Sequence, residues 1–154
     1  MKANLKYLRY VLVHKWWVFY AGVRLGGIPI WQLFIHDWSK FGAAEWKPYV
    51  DFQPYHGKIE TAPEDIKLAF NAAFEHHLSV NPHHWKYWNG VEIPLVYTRE
   101  MLADWYGAGR AISGKIDVAG WYEKNKANMK LHYNTTMDID SILIEMKNKR
   151  IIPW

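Results

Sequence analysis

His36 and Asp37 are adjacent in the run Trp-Gln-Leu-Phe-Ile-His-Asp-Trp-Ser-Lys-Phe, which spans residues 31–41. An imidazole nitrogen and a carboxylate oxygen both bind divalent transition metals, so this pair could supply two ligands to one ion. Further ligands must come from other parts of the chain. His14 lies on the apolar stripe of a predicted early helix. Asp104 lies on a predicted buried face, where an unpaired carboxylate would be costly. These four residues are candidate ligands of a metal centre.

Each candidate ligand also has a plainer interpretation. His14 could be a core histidine bonded to a backbone carbonyl. The pair His36-Asp37 could be a solvated helix end, and Asp104 could pair with a buried arginine or tryptophan. The chain contains no cysteine, which excludes disulfides, thiolate metal sites and a cysteine nucleophile. Any metal must therefore be held by imidazole and carboxylate.

More histidines cluster in the middle of the chain, as Glu75-His76-His77 and as His83-His84. Successive residues of a helix point about 100° apart, so His76 and His77 cannot face the same way, and either could enter a site. The four histidines could bind a substrate phosphate, or they could simply cap helix ends. We predict a catalytic role for His83 and His84, and a substrate-binding role for His76 and His77.

Three further side chains could contact a substrate. Lys40 follows Asp37 by three residues, which places both on one face of a continuous helix, so we predict that Lys40 acts in catalysis beside a substrate phosphate. Its alternative is a surface lysine. Arg110 could bind phosphate, although it points away from the face of Asp104. Trp85 could stack on a nucleobase, although tryptophan more often fills a core.

Hydrophobic periodicity predicts the elements that position these residues. Nothing alternates with period two over five or more residues, so we predict an all-α, single-domain bundle of five to six helices over residues 1–154. The segments 42–63 and 83–94 are predicted as loops. We expect the first to cover another part of the protein and the second to have a functional role. Thr98 is predicted to cap its helix. The predicted helices span residues 4–24, 30–41, 63–78, 98–112, 117–132 and 137–149.

A net charge of +4 and an isoelectric point near 9.2 make the chain mildly basic. This balance suits an anionic ligand such as a phosphate ester, and it allows nucleic-acid contact without favouring it. No stretch approaches the roughly 18 uninterrupted apolar residues of a membrane span, so we expect a cytoplasmic protein with no membrane partner. The aromatic-rich composition suggests a homodimer, and the tail 151–154 is expected to dock on the domain or on a partner.

The order of a His, an adjacent His-Asp and a distant Asp resembles the HD superfamily of metal-dependent phosphohydrolases, which has an all-α fold. The run His-Asp-Trp-Ser-Lys is also similar to the His-Asp-x-x-Lys form of several members. The resemblance implies an HD-domain-like fold. It also implies a divalent transition metal (Mn, Fe, Co, Ni or Zn) held by His14, His36, Asp37 and Asp104.

HD enzymes with two metals hold the second ion with additional histidines between the His-Asp pair and the last Asp. In this chain the resemblance implies one residue of His76 and His77, together with one of His83 and His84. A wider pattern also resembles a family of small phage and bacterial proteins of unassigned function. Its segments are His-Lys-Trp-Trp, His-Asp-x-Ser-Lys-Phe, Glu-His-His, Asn-Pro-His-His-Trp and Asp-Trp-x-Gly-Ala-Gly-Arg.

The leading hypothesis is a metal-dependent phosphohydrolase that acts on a small phosphate ester, most simply a nucleotide, in the cytoplasm of a cell or of a phage host. A bound cation would lower the pKa of a water molecule, and Asp37 would orient that water or accept its proton. One alternative is a di-iron oxygenase of the HD type. The other is a non-enzymatic helical protein that binds nucleic acid or a host protein.

Overall fold

The computed structural model describes residues 2–55 and 57–153, and within these ranges all regular structure is helical. The described residues form eight α-helices, two more than the largest number predicted, because α3 and α5 lie in segments that were predicted as loops. Four single-turn 3-10 helices lie at residues 38–41, 53–55, 59–61 and 126–128. The α-helices are α1 (Lys2–Leu25), α2 (Ile30–Ile35), α3 (Ala43–Phe52), α4 (Glu64–Val80), α5 (Trp85–Trp88), α6 (Leu95–Ser113), α7 (Val118–Asn125) and α8 (Tyr133–Asn148).

The two longest helices, α1 and α6, pack together in antiparallel directions. At one end Arg99 Nη1 donates to the carbonyl of Gly26. Near the middle, Gly107 faces Val18, and a Cβ at Gly107 would lie only 2.4 Å from Val18 Cγ2 and 3.0 Å from the Val18 nitrogen. The absence of a side chain at Gly107 therefore lets the two backbones approach closely. This approach places α6 against the part of α1 that carries His14.

Two apolar clusters hold the helices together. The larger one joins α1, α6, α7 and α8, and its fully buried members include Val18, Leu25, Met101, Leu102, Ile139 and Met146. The smaller one joins α1, α3 and α4 and contains Tyr7, Val11, Tyr49, Val50 and Ala73. Because α1 belongs to both clusters, its inward face lies between α3–α4 on one side and α6 on the other.

Several predicted boundaries are wrong. The predicted helix 30–41 ends at Ile35, and Asp37 has a left-handed backbone with a φ of 56° before a 3-10 turn begins. Residues 43–52 of the first predicted loop form α3, although Pro48 lies inside this helix. Thr98 is not a cap, because α6 already begins at Leu95 after Pro94.

Residues 151–152 are buried, whereas several helices carry large apolar side chains on their outer faces. Ile151 and Ile152 are buried in the larger cluster, so this part of the tail docks on the chain itself, whereas Trp154 lies outside the described residues. Large apolar side chains are exposed on α1 and α2, including Trp16, Trp31 and Phe34. Within the described ranges, no helix has both the length and the apolar character needed to cross a membrane.

Candidate metal centre

The four predicted ligands meet at the inward face of α1. His14 Nε2 lies 3.0 Å from Asp37 Oδ2 and 3.1 Å from Asp104 Oδ1. His36 Nε2 lies 3.4 Å from each of these two oxygens and 3.4 Å from His14 Nε2. All four residues are at most 7 % exposed. We call this group of His14, His36, Asp37 and Asp104 the first ligand group.

The separations within the first ligand group match those of atoms bound to a common ion. When each ligand atom lies about 2.1 Å from a metal, neighbouring ligand atoms are about 3.0 to 3.5 Å apart in tetrahedral or octahedral geometry. The five separations given above all fall between 3.0 and 3.4 Å. The four atoms therefore could hold one divalent cation without a large rearrangement, and their role as ligands stays a prediction.

A second group of histidines surrounds the other oxygen of Asp37. His83 Nε2 lies 3.2 Å from Asp37 Oδ1, and His77 Nε2 lies 3.4 Å from the same atom. His84 Nε2 completes the group at 2.8 Å from His77 Nε2. We call Asp37, His77, His83 and His84 the second ligand group, and their four ligand atoms lie within 4.8 Å of one another. Asp37 thus belongs to both groups and offers one oxygen to each.

Unsatisfied polar atoms point into the second ligand group. Asp37 Oδ1 and His83 Nε2 are buried 3.2 Å apart, yet neither makes a hydrogen bond of suitable geometry to the other or to any further residue that the structure describes. A buried polar atom without a partner costs about 1–3 kcal/mol, so it needs an explanation. A cation between these atoms would satisfy both of them. The donor set of three imidazoles and one carboxylate also fits a transition metal.

Charge balance within the buried cluster also favours cations. Asp37, Glu45, Glu100 and Asp104 are all at most 7 % exposed, whereas Lys40 is the one buried lysine or arginine in the described part of the chain. With neutral imidazoles, the carboxylates outnumber the ammonium group by three charges. Buried charges are stable only when they are paired, so the cluster requires additional positive charge.

Two carboxylates outside the ligand groups orient the imidazoles. His36 Nδ1 lies 2.8 Å from Glu100 Oε1, and His77 Nδ1 lies 2.9 Å from Glu45 Oε2. A carboxylate accepts a hydrogen bond from Nδ1–H, which leaves the lone pair of Nε2 directed at the ligand group. Gln32 Nε2 in turn donates to Glu100 at 2.5 Å. The same support is found at metal-binding histidines in general.

Sequence reasoning missed both of these carboxylates. Glu100 precedes Asp104 by one helical turn, so the (i, i+4) spacing of two acids on a buried face was a usable signal. Glu45 lies in the segment predicted as a loop, and nothing in its local sequence indicated that it would be fully buried. Its position becomes clear only when α3 packs on α4.

The turn that carries His36 and Asp37 is fixed by a lysine from α1. Lys15 Nζ donates to the carbonyl oxygens of Phe34 and His36. These carbonyls belong to the end of α2, where the backbone groups have no helical partner. Lys15 therefore ties the break after α2 to the helix that supplies His14. The left-handed backbone of Asp37 follows directly from this break.

Lys40 lies beside the first ligand group, although the continuous helix that predicted this position is absent. Its ammonium nitrogen donates to Asp37 Oδ2 at 2.5 Å, and its side chain is 10 % exposed. The 3-10 turn brings it there, because residues three apart face the same way in a 3-10 helix. Burial opposes the charged form, but Asp37 raises the pKa of Lys40 above its ordinary value, so Lys40 stays cationic.

Three residues of the first ligand group, His36, Asp37 and Asp104, have shifted pKa values. Burial opposes ionisation of Asp37 and Asp104, but the adjacent His14 and His36 imidazoles, with Lys40 beside Asp37, hold the pKa of both carboxyls well below its usual range. Burial also disfavours a charged His36, yet Asp37, Asp104 and Glu100 raise the pKa of His36 well above its ordinary value. A proton on His36 thus offsets one of the three excess negative charges when no cation is bound.

The second ligand group behaves differently. Burial and the neighbouring charge of His36 lower the pKa of His83, and burial lowers the pKa of His84 well below its ordinary value. Both imidazoles therefore stay neutral near neutral pH. A neutral imidazole is the form that binds a metal, whereas it cannot supply positive charge to a phosphate.

Three residues predicted to bind substrate lie outside both ligand groups. The side chain of His76 is 44 % exposed, and its Nε2 is 3.9 Å from Glu45. The guanidinium of Arg110 lies 4.2 Å from the centre of the Trp17 ring and donates to the Gly114 carbonyl. Trp85 packs against the larger apolar cluster. The structure thus selects His77 over His76 and brings His83 and His84 into one group.

Comparison with known proteins gives one match. The model of a family of unknown function, DUF5662, matches residues 3–148, which include every residue of both ligand groups. No curated protein and no solved structure matches the chain. These comparisons therefore assign no chemistry to the two ligand groups.

Proposed function

This chain belongs to DUF5662, a family of unknown function, and we propose that it is a metal-dependent phosphohydrolase that cleaves small phosphate esters, nucleotides foremost. The proposal includes an HD-like arrangement of ligands on the all-α scaffold. One observation carries it: the two oxygens of the buried Asp37 face two separate groups of imidazoles. That arrangement is expected when one carboxylate bridges two ions, as in two-metal hydrolytic sites.

The residues that would hold the ions follow from the two ligand groups. His14, His36 and Asp104 would bind the first ion and His77, His83 and His84 the second, with Asp37 shared between them. Divalent cations at these positions would lower the pKa of a bound water and offset negative charge on phosphoryl oxygens. In this proposal His77, His83 and His84 are ligands. The lowered pKa values of the buried His83 and His84 keep both imidazoles neutral, and the Nε2 atom of His77 faces Asp37 Oδ1 while its Nδ1 atom lies 2.9 Å from Glu45.

Lys40 and Asp104 define the side from which a substrate approaches. Each side chain is 10 % exposed, whereas the side chains of His36 and Asp37 are fully buried. Lys40 is cationic and can bind a non-bridging phosphoryl oxygen, which stabilises charge that develops during the reaction. Its contact with Asp37 also keeps that carboxylate in position. We therefore retain Lys40 as a catalytic residue and assign Asp37 to holding the ions.

The overall reaction is ordinary ester hydrolysis. The oxygen of water forms a bond to phosphorus while the bond between phosphorus and the ester oxygen breaks. The water gives up one proton and the departing oxygen takes up one, so the products are an alcohol and inorganic phosphate. No redox change occurs and no other reactant is needed.

Metal analysis followed by a phosphate-release assay tests this function. The purified protein is expected to contain one or two equivalents of Mn, Fe, Co, Ni or Zn. It should release phosphate from at least one member of a panel of nucleoside mono-, di- and triphosphates. Asp37→Asn should reduce both the metal content and the rate of phosphate release more than about 100-fold. Removal of a ligand should have a larger effect than removal of a residue that only orients a ligand. Asp140→Asn, at an exposed position of α8, is the matched control.

The proposal fails if the protein carries no stoichiometric metal and Asp37→Asn changes neither metal content nor turnover. A different result would support the second candidate, an oxygenase with two irons. The specific observation in its favour is the number of imidazoles, since five histidines with two carboxylates suit iron as well as zinc or manganese. Two equivalents of iron, dioxygen consumption and no phosphate release would establish that alternative.

A further inference from the structure

A groove lies beside the candidate metal centre, along the seam between α1 and α6. Its volume is about 300 Å³, and its walls are Lys6, Arg9, Tyr10, Val13 and Ala111. The four residues from α1 recur at three- and four-residue spacing, so they share one side of that helix. This size is at the lower limit for small-ligand sites, so the groove suits a compact group and not a whole nucleotide.

The groove carries two positive charges that form no ion pair in the described part of the chain. Lys6 and Arg9 are exposed, and neither forms an ion pair with any residue that the structure describes. Residues 1–36 contain five lysines and arginines and no aspartate or glutamate. All 15 acidic residues of the chain follow residue 36, so α1 contains no carboxylate that could pair with its own lysines and arginines. The groove is therefore attractive to an anion.

Tyr10 connects the groove to the first ligand group. Its ring lines the groove and stacks on the imidazole of His14, with 6.2 Å between ring centres and 18° between ring planes. Arg9 and Lys6 precede His14 by five and eight residues, which corresponds to about 8 and 12 Å along the axis of α1. A ligand in the groove could therefore reach the metal centre if it spans this distance.

We infer that the groove binds a second anionic group of the substrate, a phosphate that is not the one cleaved. This inference rests on the proposed hydrolase function for the position of the scissile phosphate. Lys6 and Arg9 would contact the second phosphate, while Tyr10 and Val13 would contact the part of the substrate between the two phosphates. The expected substrate class is a small bisphosphorylated ester, of which a nucleoside 3′,5′-bisphosphate is one example.

Steady-state kinetics with two probes tests the inference. Adenosine 5′-monophosphate has one phosphate, and adenosine 3′,5′-bisphosphate has two. For the wild-type protein, KM should be at least about 10-fold lower for the bisphosphate, because two charge-assisted contacts are added at a partly solvated site. The double substitution Lys6→Met with Arg9→Met should raise KM for the bisphosphate by about 10-fold and leave kcat within about twofold, as expected for uniform binding.

A matched control removes two cations elsewhere. Lys58→Met with Lys124→Met changes the net charge equally at exposed positions far along the chain from the groove residues. It should leave KM for both probes within about twofold of wild type, since the long-range effect of surface charge is screened by salt. Direct calorimetric binding of the bisphosphate to each variant gives a readout that does not depend on turnover.

The outcomes separate the groove from the hydrolase. Hydrolysis of both probes with equal KM in the wild type and the Lys6/Arg9 variant would overturn the inference and leave the function standing. No bound metal and no hydrolysis of the probes or of the nucleotide panel, but bisphosphate binding that is lost only in the Lys6/Arg9 variant, would support the anion site and overturn the function. Equal weakening by the Lys6/Arg9 and the Lys58/Lys124 pairs would overturn the inference, because it would reflect net charge alone.

Discussion

The Nδ1 atom of His36 lies 2.8 Å from Glu100 Oε1, and this hydrogen bond fixes which ring nitrogen faces the first ligand group. With the proton held on Nδ1, Nε2 is free to bind a cation between Asp37 and Asp104. Glu100 is only 3 % exposed and also accepts from Gln32, so its own position is fixed. Glu100 is therefore a positioning residue for the metal centre.

Glu100→Gln should weaken binding of one ion about 10- to 100-fold while the helical fold is kept. The amide has nearly the same shape, but it is a weaker acceptor for His36 Nδ1–H. Metal titration followed by circular dichroism and elemental analysis measures both properties. Glu45→Gln is the parallel change for His77 and the second ligand group. Unchanged affinity in both variants would contradict the orienting role.

His76 and His77 provide a matched pair for the second ligand group. His77→Ala should remove one equivalent of metal, because His77 Nε2 faces Asp37 Oδ1. His76→Ala should keep the full metal content, since that side chain is 44 % exposed and lies outside the group. Elemental analysis of the two purified variants compares their metal content directly. Equal metal content in both would mean that the second group holds no ion.

Gly107→Ala should reduce both stability and metal affinity. The new methyl group would lie 2.4 Å from Val18 Cγ2, so α1 and α6 must separate, which costs about 1–3 kcal/mol in the free energy of unfolding. The separation would also move His14 away from Asp104. Chemical denaturation and metal titration measure the two effects. Gly22→Ala is the comparison, because the three atoms nearest to its methyl are all side-chain atoms of Leu33, the nearest at 2.5 Å, whereas the methyl at Gly107 also meets the backbone of α1.

Lys15→Met should weaken metal binding without removing a ligand. The substitution deletes the hydrogen bonds to the Phe34 and His36 carbonyls that hold the turn before Asp37. We expect a loss of about 1 kcal/mol in stability, together with weaker binding of the first ion. Lys47→Met, at an exposed position of α3, should change neither quantity. An unaltered metal affinity in Lys15→Met would show that the turn keeps its conformation without Lys15.

Stability should depend on pH in opposite directions with and without metal. The carboxylates around His36 raise its pKa well above the unfolded value of about 6.5, so its stabilising proton is fully bound below that pH and lost as pH rises through the folded pKa. The metal-free protein should therefore be less stable at pH 9 than at pH 7. Below about pH 6.5 the lowered pKa values of His83 and His84 act in the opposite sense, because protons then bind preferentially to the unfolded chain. The metal-loaded protein should gain stability as pH rises, because the proton no longer competes with the ion.

Urea unfolding of chelated and Mn²⁺-loaded samples at pH 6, 7, 8 and 9 would measure this difference. Asp37 and Asp104 add a separate effect at acid pH. Their lowered pKa values stabilise the fold above the unfolded value of about 3.9, and this contribution is lost only as pH falls below it. The same slope with pH in both samples would argue against an ion at His36.

The sequence alone was sufficient to predict an all-α protein and to select the four residues that the structure brings together in the first ligand group. Helical periodicity identified the inward positions of His14 and Asp104, because a helix must bury one stripe to be stable. The break after Ile35 was not predictable. The pattern from 30 to 41 has no glycine or proline, and the break is stabilised by Lys15, which lies about twenty residues earlier.

The helix α3 and the choice between His76 and His77 could not be predicted from local sequence. Pro48 suggested irregular structure, yet α3 continues through it because Tyr49 and Val50 pack in the smaller apolar cluster. His77 could not be separated from His76 by spacing alone, since both continued plausible stripes of α4. The choice depends on where Glu45 lies, and that position requires the packing of α3 on α4.

Asp37 lies where residues between His14 and Asp104 meet, although they are far apart in the sequence. Its neighbours come from α1, the turn after α2, the end of α4, the following segment and α6, so no fragment that stops before α6 contains the complete centre. Each helix can begin to form locally, but the ligands converge only after distant segments have docked. Metal uptake would then be a late event in biogenesis. Under the proposed function the metal-free fold would have to persist until it is loaded, with Lys40 as the one buried ammonium group of the described residues that offsets the carboxylates.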